Sequence, residues 1–217
     1  MNESVVFHGG EKVKDVIWHY DRLIEEGNDP VHDPKPLREY MDRWDGLPMI
    51  QRLQLSSDQS VLEFGVGTGR LAVKVAPHCK SFCGIDLSEK TVERAKENLC
   101  AYPNVSLICG DFITYPFRET FDVIYSSLTF MHIEDKAAAI EKVAALLREN
   151  GRFVLSIDKN QSEYLDFGCR KIRIYPDNPR EIKRLLLKAK LRLEECFETD
   201  FAFITVSTKS VSREVLA

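Results

Sequence analysis

Apolar positions in the first quarter of the chain recur at helical spacing. Val13, Val16, Ile17, Tyr20 and Leu23 share one face of residues 12–26, which predicts an amphipathic helix. Residues 28–36 (NDPVHDPKP) are dense in turn formers and read as a loop. Helical spacing returns over 37–44, Gly46 and Pro48 interrupt it, and 49–55 predict another turn or two of helix. Strand-like patterning is missing here, so residues 1–57 predict a helical cap ahead of a main domain at 58–217.

From Ser60 the pattern changes to strands separated by single helices. Val61–Phe64 is a short apolar strand closed by Gly65, and 70–76 predicts a helix stopped by Pro77. A second strand spans 81–85. Ser88 then suits a helix N-cap, with Val92, Ala95 and Leu99 on one face. Strands follow at 105–109 and 121–125. A helix over 135–147 ends at Asn150-Gly151 and leads into a strand at 152–157. Strands joined through single helices require crossover connections, hence a mostly parallel, doubly wound α/β sheet covered on both faces. The tail differs. A helix over 180–190 precedes two strand-like stretches, 191–197 and 201–207, joined by only Glu198, Thr199 and Asp200. So short a link permits a hairpin and forbids a parallel crossover, so the sheet should close with one antiparallel strand.

Composition narrows the field. The longest unbroken apolar run is Val143–Leu147, far short of a membrane span. The opening residues have neither a basic start nor a long apolar stretch, so no secretory leader is expected. The formal net charge of −4 argues against a nucleic-acid partner. The balance is uneven, with nine bases against two acids over 170–192; the plain reading of that stretch is a solvated helix face. The six cysteines form no CxxC pair and stand near no His at zinc spacing, so no metal site is expected. Buried, reduced cysteines in a cytoplasmic protein account for them.

The most informative residues are Glu63-Phe64-Gly65-Val66-Gly67-Thr68-Gly69-Arg70, after the first strand and at the start of a helix. Glycine there lets the chain turn sharply and bring bare backbone against a ligand. In doubly wound sheets ligands sit at this end of the strands. Asp86 ends the second strand and can accept from both hydroxyls of a ribose. Asp111 and Phe112 end the third, where a carboxylate can accept from an adenine amino group and a ring can pack on the base. The third glycine comes one residue too early for a dinucleotide fingerprint, and an acid stands two positions before the first glycine. S-adenosyl-L-methionine has no phosphate and carries a sulfonium and an ammonium, so Glu63 near the loop is tolerable or useful.

On these residues the chain resembles the Rossmann-like family of S-adenosylmethionine-dependent methyltransferases. The likeness rests on Val-Leu-Glu-Phe-Gly-Val-Gly-Thr-Gly (61–69), Gly-Ile-Asp-Leu-Ser (84–88), Gly-Asp-Phe (110–112), Phe-Asp-Val-Ile-Tyr-Ser (121–126) and residues 146–153. It covers about 58–208 and implies seven strands with the last antiparallel. It also implies that Glu63, Gly65, Gly67 and Gly69 border the methionine part. Asp86 and Leu87 would hold the ribose, Asp111 and Phe112 the adenine, and Ser126 would line the reacting end.

Methyl transfer from a sulfonium is a direct displacement, so the protein must mainly align the nucleophile and exclude water. The loop after the fourth strand, Tyr125 to Ile133, lacks the Asn/Asp-Pro-Pro-Tyr signature of related enzymes that methylate amide or base nitrogen. That favours a small-molecule acceptor. His132 is the candidate general base, whereas His8, His19, His32 and His78 have no motif context. Tyr20, Tyr40 and Trp44 of the cap could close over cofactor and acceptor, and Arg170, Lys171 and Arg173 could attract an anionic acceptor. Two other readings share this sequence: a module that binds S-adenosylmethionine without transfer, and a nucleotide-dependent enzyme of other chemistry on the same fold. The pattern leaves the oligomeric state open.

Overall fold

A computed structural model describes residues 10–210. His8 and most of the opening dozen residues, where no leader is expected, lie outside them. Three helices come first, α1 (Gly10–Glu25), α2 (Lys35–Met41) and α3 (Gly46–Leu53). They are followed by β1 (Ser60–Phe64), α4 (Ala72–Val75), β2 (Ser81–Asp86), α5 (Glu89–Asn98), β3 (Val105–Cys109), β4 (Phe121–Ser126), α6 (Lys136–Leu146) and β5 (Leu147–Asp158). A small hairpin, β6 (Tyr164–Asp166) and β7 (Lys171–Arg173), precedes α7 (Pro179–Lys188), β8 (Leu191–Glu198) and β9 (Ala202–Lys209).

The main sheet has seven strands in the order β3-β2-β1-β4-β5-β9-β8. The first five pair in parallel, and β9 runs antiparallel to both β5 and β8, as the short link before it requires. Strand alternation sends β1 residues to both faces. Leu62 and Phe64 join Ile124 and Phe153 under Ile140, Val143, Ile182 and Leu186 of α6 and α7. Val61 joins Val123, Tyr125 and Val154 under Met49, Leu53, Val75 and Ala95 from α3, α4 and α5. The last helix of the cap is therefore part of the layer that covers the sheet. Among the described residues no helix is long and apolar enough to cross a membrane.

Local chemistry sets the helix starts. Ser88 Oγ accepts from the Thr91 amide, and Asn178 caps α7 with Pro179 in its first turn. Several expected boundaries shift for physical reasons. Gly46 and Pro48 do not interrupt a helix but sit in the first turn of α3, where amides have no intrahelical partner to lose. The second helix runs 35–41 rather than 37–44, with proline in its first turn. The helix expected over 70–76 is a single turn, α4, continued by a 3-10 turn over 76–78 that accommodates Pro77. Asn150-Gly151 does not close α6. The helix ends at Leu146, and residues 148–151 form an irregularity within β5, where pairing jumps from Phe121–Leu147 to Val123–Arg152. The β6–β7 hairpin had no sequence signal; its strands are three residues each and mostly exposed.

One buried ion pair holds the turn after β4 in place. Lys136 Nζ lies 2.5 Å from Asp177 Oδ1 and also donates to the carbonyls of Phe130 and Tyr175, each at 3.0 Å. Burial lowers the Lys136 ammonium and raises the Asp177 carboxyl, outweighing their mutual attraction. Removing one partner of such a pair strands the other. Lys136→Met should lower stability by about 3–5 kcal/mol in urea unfolding. Adding Asp177→Leu should restore most of it; equal stability of the single variant and the parent would contradict this account.

Candidate functional site

β1 ends in a loop whose three glycines all have left-handed backbones, with φ of +73° at Gly65, +56° at Gly67 and +97° at Gly69. Gly65 is also sterically required, since a Cβ there would sit 1.9 Å from Thr129 Oγ1. Gly67 faces open space. Its amide donates to Asp86 Oδ2 at 2.9 Å, while Asp86 Oδ1 accepts from the Ser88 amide at 3.1 Å. Burial pushes the Asp86 carboxyl up, and these backbone donors partly offset it. Because β1 and β2 pair in register, from Ser60 beside Ser81 to Phe64 beside Ile85, the glycine loop and Asp86 emerge side by side.

A cavity of about 390 Å³ opens there under the cap. Its wall includes Glu63, Gly65, Gly67, Asp86, Leu87, Asp111, Phe112 and His132, so eight of the sequence-predicted residues converge. Two do not. Gly69 backs onto Leu99, 3.1 Å from where its Cβ would stand. Ser126 is fully buried and donates to the Phe64 carbonyl at 2.8 Å, so it braces β4 against β1; Ser127, Leu128 and Thr129 form the wall instead. Phe112 stacks on Phe64 with ring centroids 4.2 Å apart, so one of its faces is already taken. Asp111 Oδ1 accepts from the Ile113 amide at 2.9 Å.

The roof comes from α1, α2 and the loop between them: Val16, Ile17, Tyr20, Leu23, Asp33, Leu37 and Met41. Of the three aromatic residues expected to close it, only Tyr20 does. Tyr40 and Trp44 pack on Phe201 outside the cavity, and Trp44 Nε1 donates to Asp158 at 3.0 Å. The basic residues at 170–173 are also committed elsewhere. Arg170 bonds both carboxylate oxygens of Glu26, at 2.7 and 2.8 Å, and Nδ1 of His19 at 2.9 Å. Lys171 pairs with Asp166 at 3.0 Å, and Arg173 lies over the Tyr175 ring.

Sequence reading missed the knot that joins roof to loop. Asp45, with no solvent exposure, takes both guanidinium nitrogens of Arg70, the Ser127 hydroxyl at 2.5 Å and the Gly46 amide. Burial pushes the Asp45 carboxyl up, but these donors outweigh it and hold it below its ordinary value. An Asp before Gly-Leu-Pro is a cap signal, and nothing local links it to Arg70. Among the described residues no cluster of three or more His, Cys, Asp or Glu could hold a metal.

Glu63 and His132 are two further perturbed groups of the wall. Glu63 accepts from Tyr125 Oη at 2.8 Å, and burial raises its carboxyl to about 8. His132 Nε2 lies 2.8 Å from Tyr20 Oη, and burial lowers the imidazole to about 4, with His19 and Lys136 adding to the effect.

This seven-stranded sheet with its strand-end cavity is a Rossmann-like fold. Residues 62–155 match the family model described as methyltransferase domain. A relative from Anoxybacillus flavithermus, named an uncharacterized methyltransferase, is 39% identical over 122 residues, 54% of this chain and 56% of the relative. One from Geobacillus kaustophilus is 33% identical over 141 residues, 63% of this chain and 60% of the relative. The chain thus spans about half the length of the relatives it matches. The crystal structure of magnesium protoporphyrin IX methyltransferase from Synechocystis, with S-adenosylmethionine bound, shares the fold at a TM-score of 0.73 and 17% identity. It covers 94% of this chain and 100% of that one.

The Glu63 shift has a testable consequence. The folded carboxyl keeps its proton to about pH 8, whereas the ordinary value is 4.5. Folding therefore takes up a proton between those values, and stability falls as pH rises through that window. Glu63→Gln should flatten this slope in thermal melts, gaining on the parent as pH approaches 8. Parallel melting curves would mean Glu63 is ionised throughout.

Proposed function

We propose that the protein binds S-adenosyl-L-methionine in this cavity and transfers its methyl group to a small-molecule acceptor. The observation that supports this most directly is Asp86, held beside the open backbone of Gly67 by the Gly67 amide bond. In this reading Asp86, with Leu87 beside it, receives the ribose hydroxyls. Asp111 and Phe112 meet the adenine, while Glu63, Gly65 and Gly67 border the methionine part.

The charge of the wall favours a sulfonium over a dinucleotide. Asp33, Asp86 and Asp111 line the cavity, and Arg70, the cationic lysine or arginine among the lining residues, is engaged by Asp45. A pyrophosphate would meet carboxylates and no uncommitted cation. The same wall argues against a nucleic-acid backbone as acceptor. Val16, Ile17, Leu23, Leu37 and Met41 suit a compact, largely apolar acceptor. The bound cofactor would supply an activated methyl group. The chain's own work is to grip the adenosine end, align the acceptor and keep water out under the cap. His132 stands in the wall as the candidate catalytic residue. The six cysteines are all free, which fits a cytoplasmic setting.

Calorimetric titration with S-adenosylhomocysteine tests the cofactor site. Asp86→Ala should weaken binding by at least about ten-fold, the scale of losing a charge-assisted hydrogen-bond pair. Unchanged affinity in a variant that still melts cooperatively would overturn the assignment.

A further inference from the structure

The Tyr20–His132 contact decides what His132 can do. Tyr20 belongs to α1 and His132 to the turn after β4, and their rings meet edge to face with centroids 5.5 Å apart. The 2.8 Å bond runs between Tyr20 Oη and Nε2. The other ring nitrogen, Nδ1, is buried and has no hydrogen-bond partner among the described residues.

A neutral imidazole has one N–H, so the bond can run in two directions. If Nε2–H donates, the Tyr20 hydroxyl proton loses its acceptor and Nδ1 is left bare. If Tyr20 donates, the hydroxyl and Nε2 are both satisfied and only Nδ1–H lacks a partner. The second arrangement leaves fewer polar groups unpaired. It also matches intrinsic chemistry, because a phenol is a better donor, and an imidazole nitrogen a better acceptor, than the reverse pair. The surroundings keep both groups neutral. Burial and Asp86 oppose the Tyr20 phenolate. Lys136 on α6 and His19 on α1, the latter held by Arg170 from the β6–β7 hairpin and that arginine by Glu26, oppose an imidazolium at His132.

We propose that Tyr20 is a positioning residue: by donating to Nε2 it fixes His132 as the neutral Nδ1–H tautomer, with its one basic nitrogen covered and so no general base for the cavity. The basic nitrogen of His132 is the one Tyr20 covers. Its bearing on methyl transfer rests on the function proposed above. An acceptor then finds no free imidazole base at His132, and its attacking atom arrives with its own lone pair free. That describes a neutral amine, or an oxygen or sulfur acid already ionised near neutrality. An alcohol could not use His132 as its base.

The test is the nitrogen spectrum of the full chain, with His132 assigned by comparison with His132→Gln. Long-range proton–nitrogen correlations between about pH 5.5 and 8, where an ordinary histidine titrates, should show a single neutral form protonated at Nδ1. In Tyr20→Phe that form should fall to a minority as the Nε2–H tautomer returns. A parent ring that is protonated at Nε2, or that titrates within this window, overturns the proposal. So does a Tyr20→Phe spectrum identical to the parent. If Tyr20→Phe does not fold, the parent spectrum alone decides. Calorimetry with S-adenosylhomocysteine on the same samples separates the two claims: failure to bind sinks the cofactor reading and leaves the tautomer result standing.

Discussion

A carboxylate with no access to water sits where the cap meets the sheet. Left alone, the charge on Asp45 would oppose folding strongly, since an unpaired buried ion loses its hydration without compensation. It is matched by the fork of Arg70, the hydroxyl of Ser127 and the Gly46 amide. Those partners come from three places: the end of the glycine loop, the segment after β4 and the start of α3. The three segments that frame the cavity must therefore be correctly placed together or the charge is stranded. Further polar clasps repeat the principle at the other side of the roof. Asn98 donates to both Asp29 oxygens and to the Thr68 carbonyl, and Ser88 donates to Asp21 at 2.7 Å. By contrast α2 has no buried residue, so the roof is pinned by these bonds and not by a core of its own.

The parts of this arrangement that follow from local rules were readable in the chain. Short apolar strands spaced by single helices dictate parallel crossovers, and the three-residue link before β9 dictates an antiparallel return. The glycine loop and Asp86 were legible because the loop needs left-handed backbone and bare edges, demands that few residues besides glycine meet. What escaped depends on distance in sequence. Asp45 and Arg70 are separated by a whole helix and strand. Ser126 and Ser127 are chemically identical, and only strand alternation decides that the first faces the core and the second the cavity. Tyr40 and Trp44 looked equivalent to Tyr20, but their aromatic partner, Phe201, lies at the far end of the chain. The β6–β7 hairpin buries little and so carries almost no hydrophobic pattern.

The cavity separates two uses of burial. At Glu63 burial works against ionisation, and a single phenol from Tyr125 does not reverse it. At Asp45 the same desolvation is overcome by a guanidinium and two further donors. One carboxyl is thus kept neutral and the other charged within the same wall. The negative character of the site comes from Asp86, Asp111 and Asp33, each only partly buried.

An open sheet has two raw margins, and β8 forms one of them. Its outward positions include Arg192, Glu194, Glu195 and Glu198, and its pairing with β9 slips between Leu193 and Glu195. Arg52 reaches across to Glu195 at 2.9 Å and occupies part of the border. A second molecule trying to extend the ladder would have to align like charges across an offset, so this margin discourages stacking into fibres while leaving the cavity untouched.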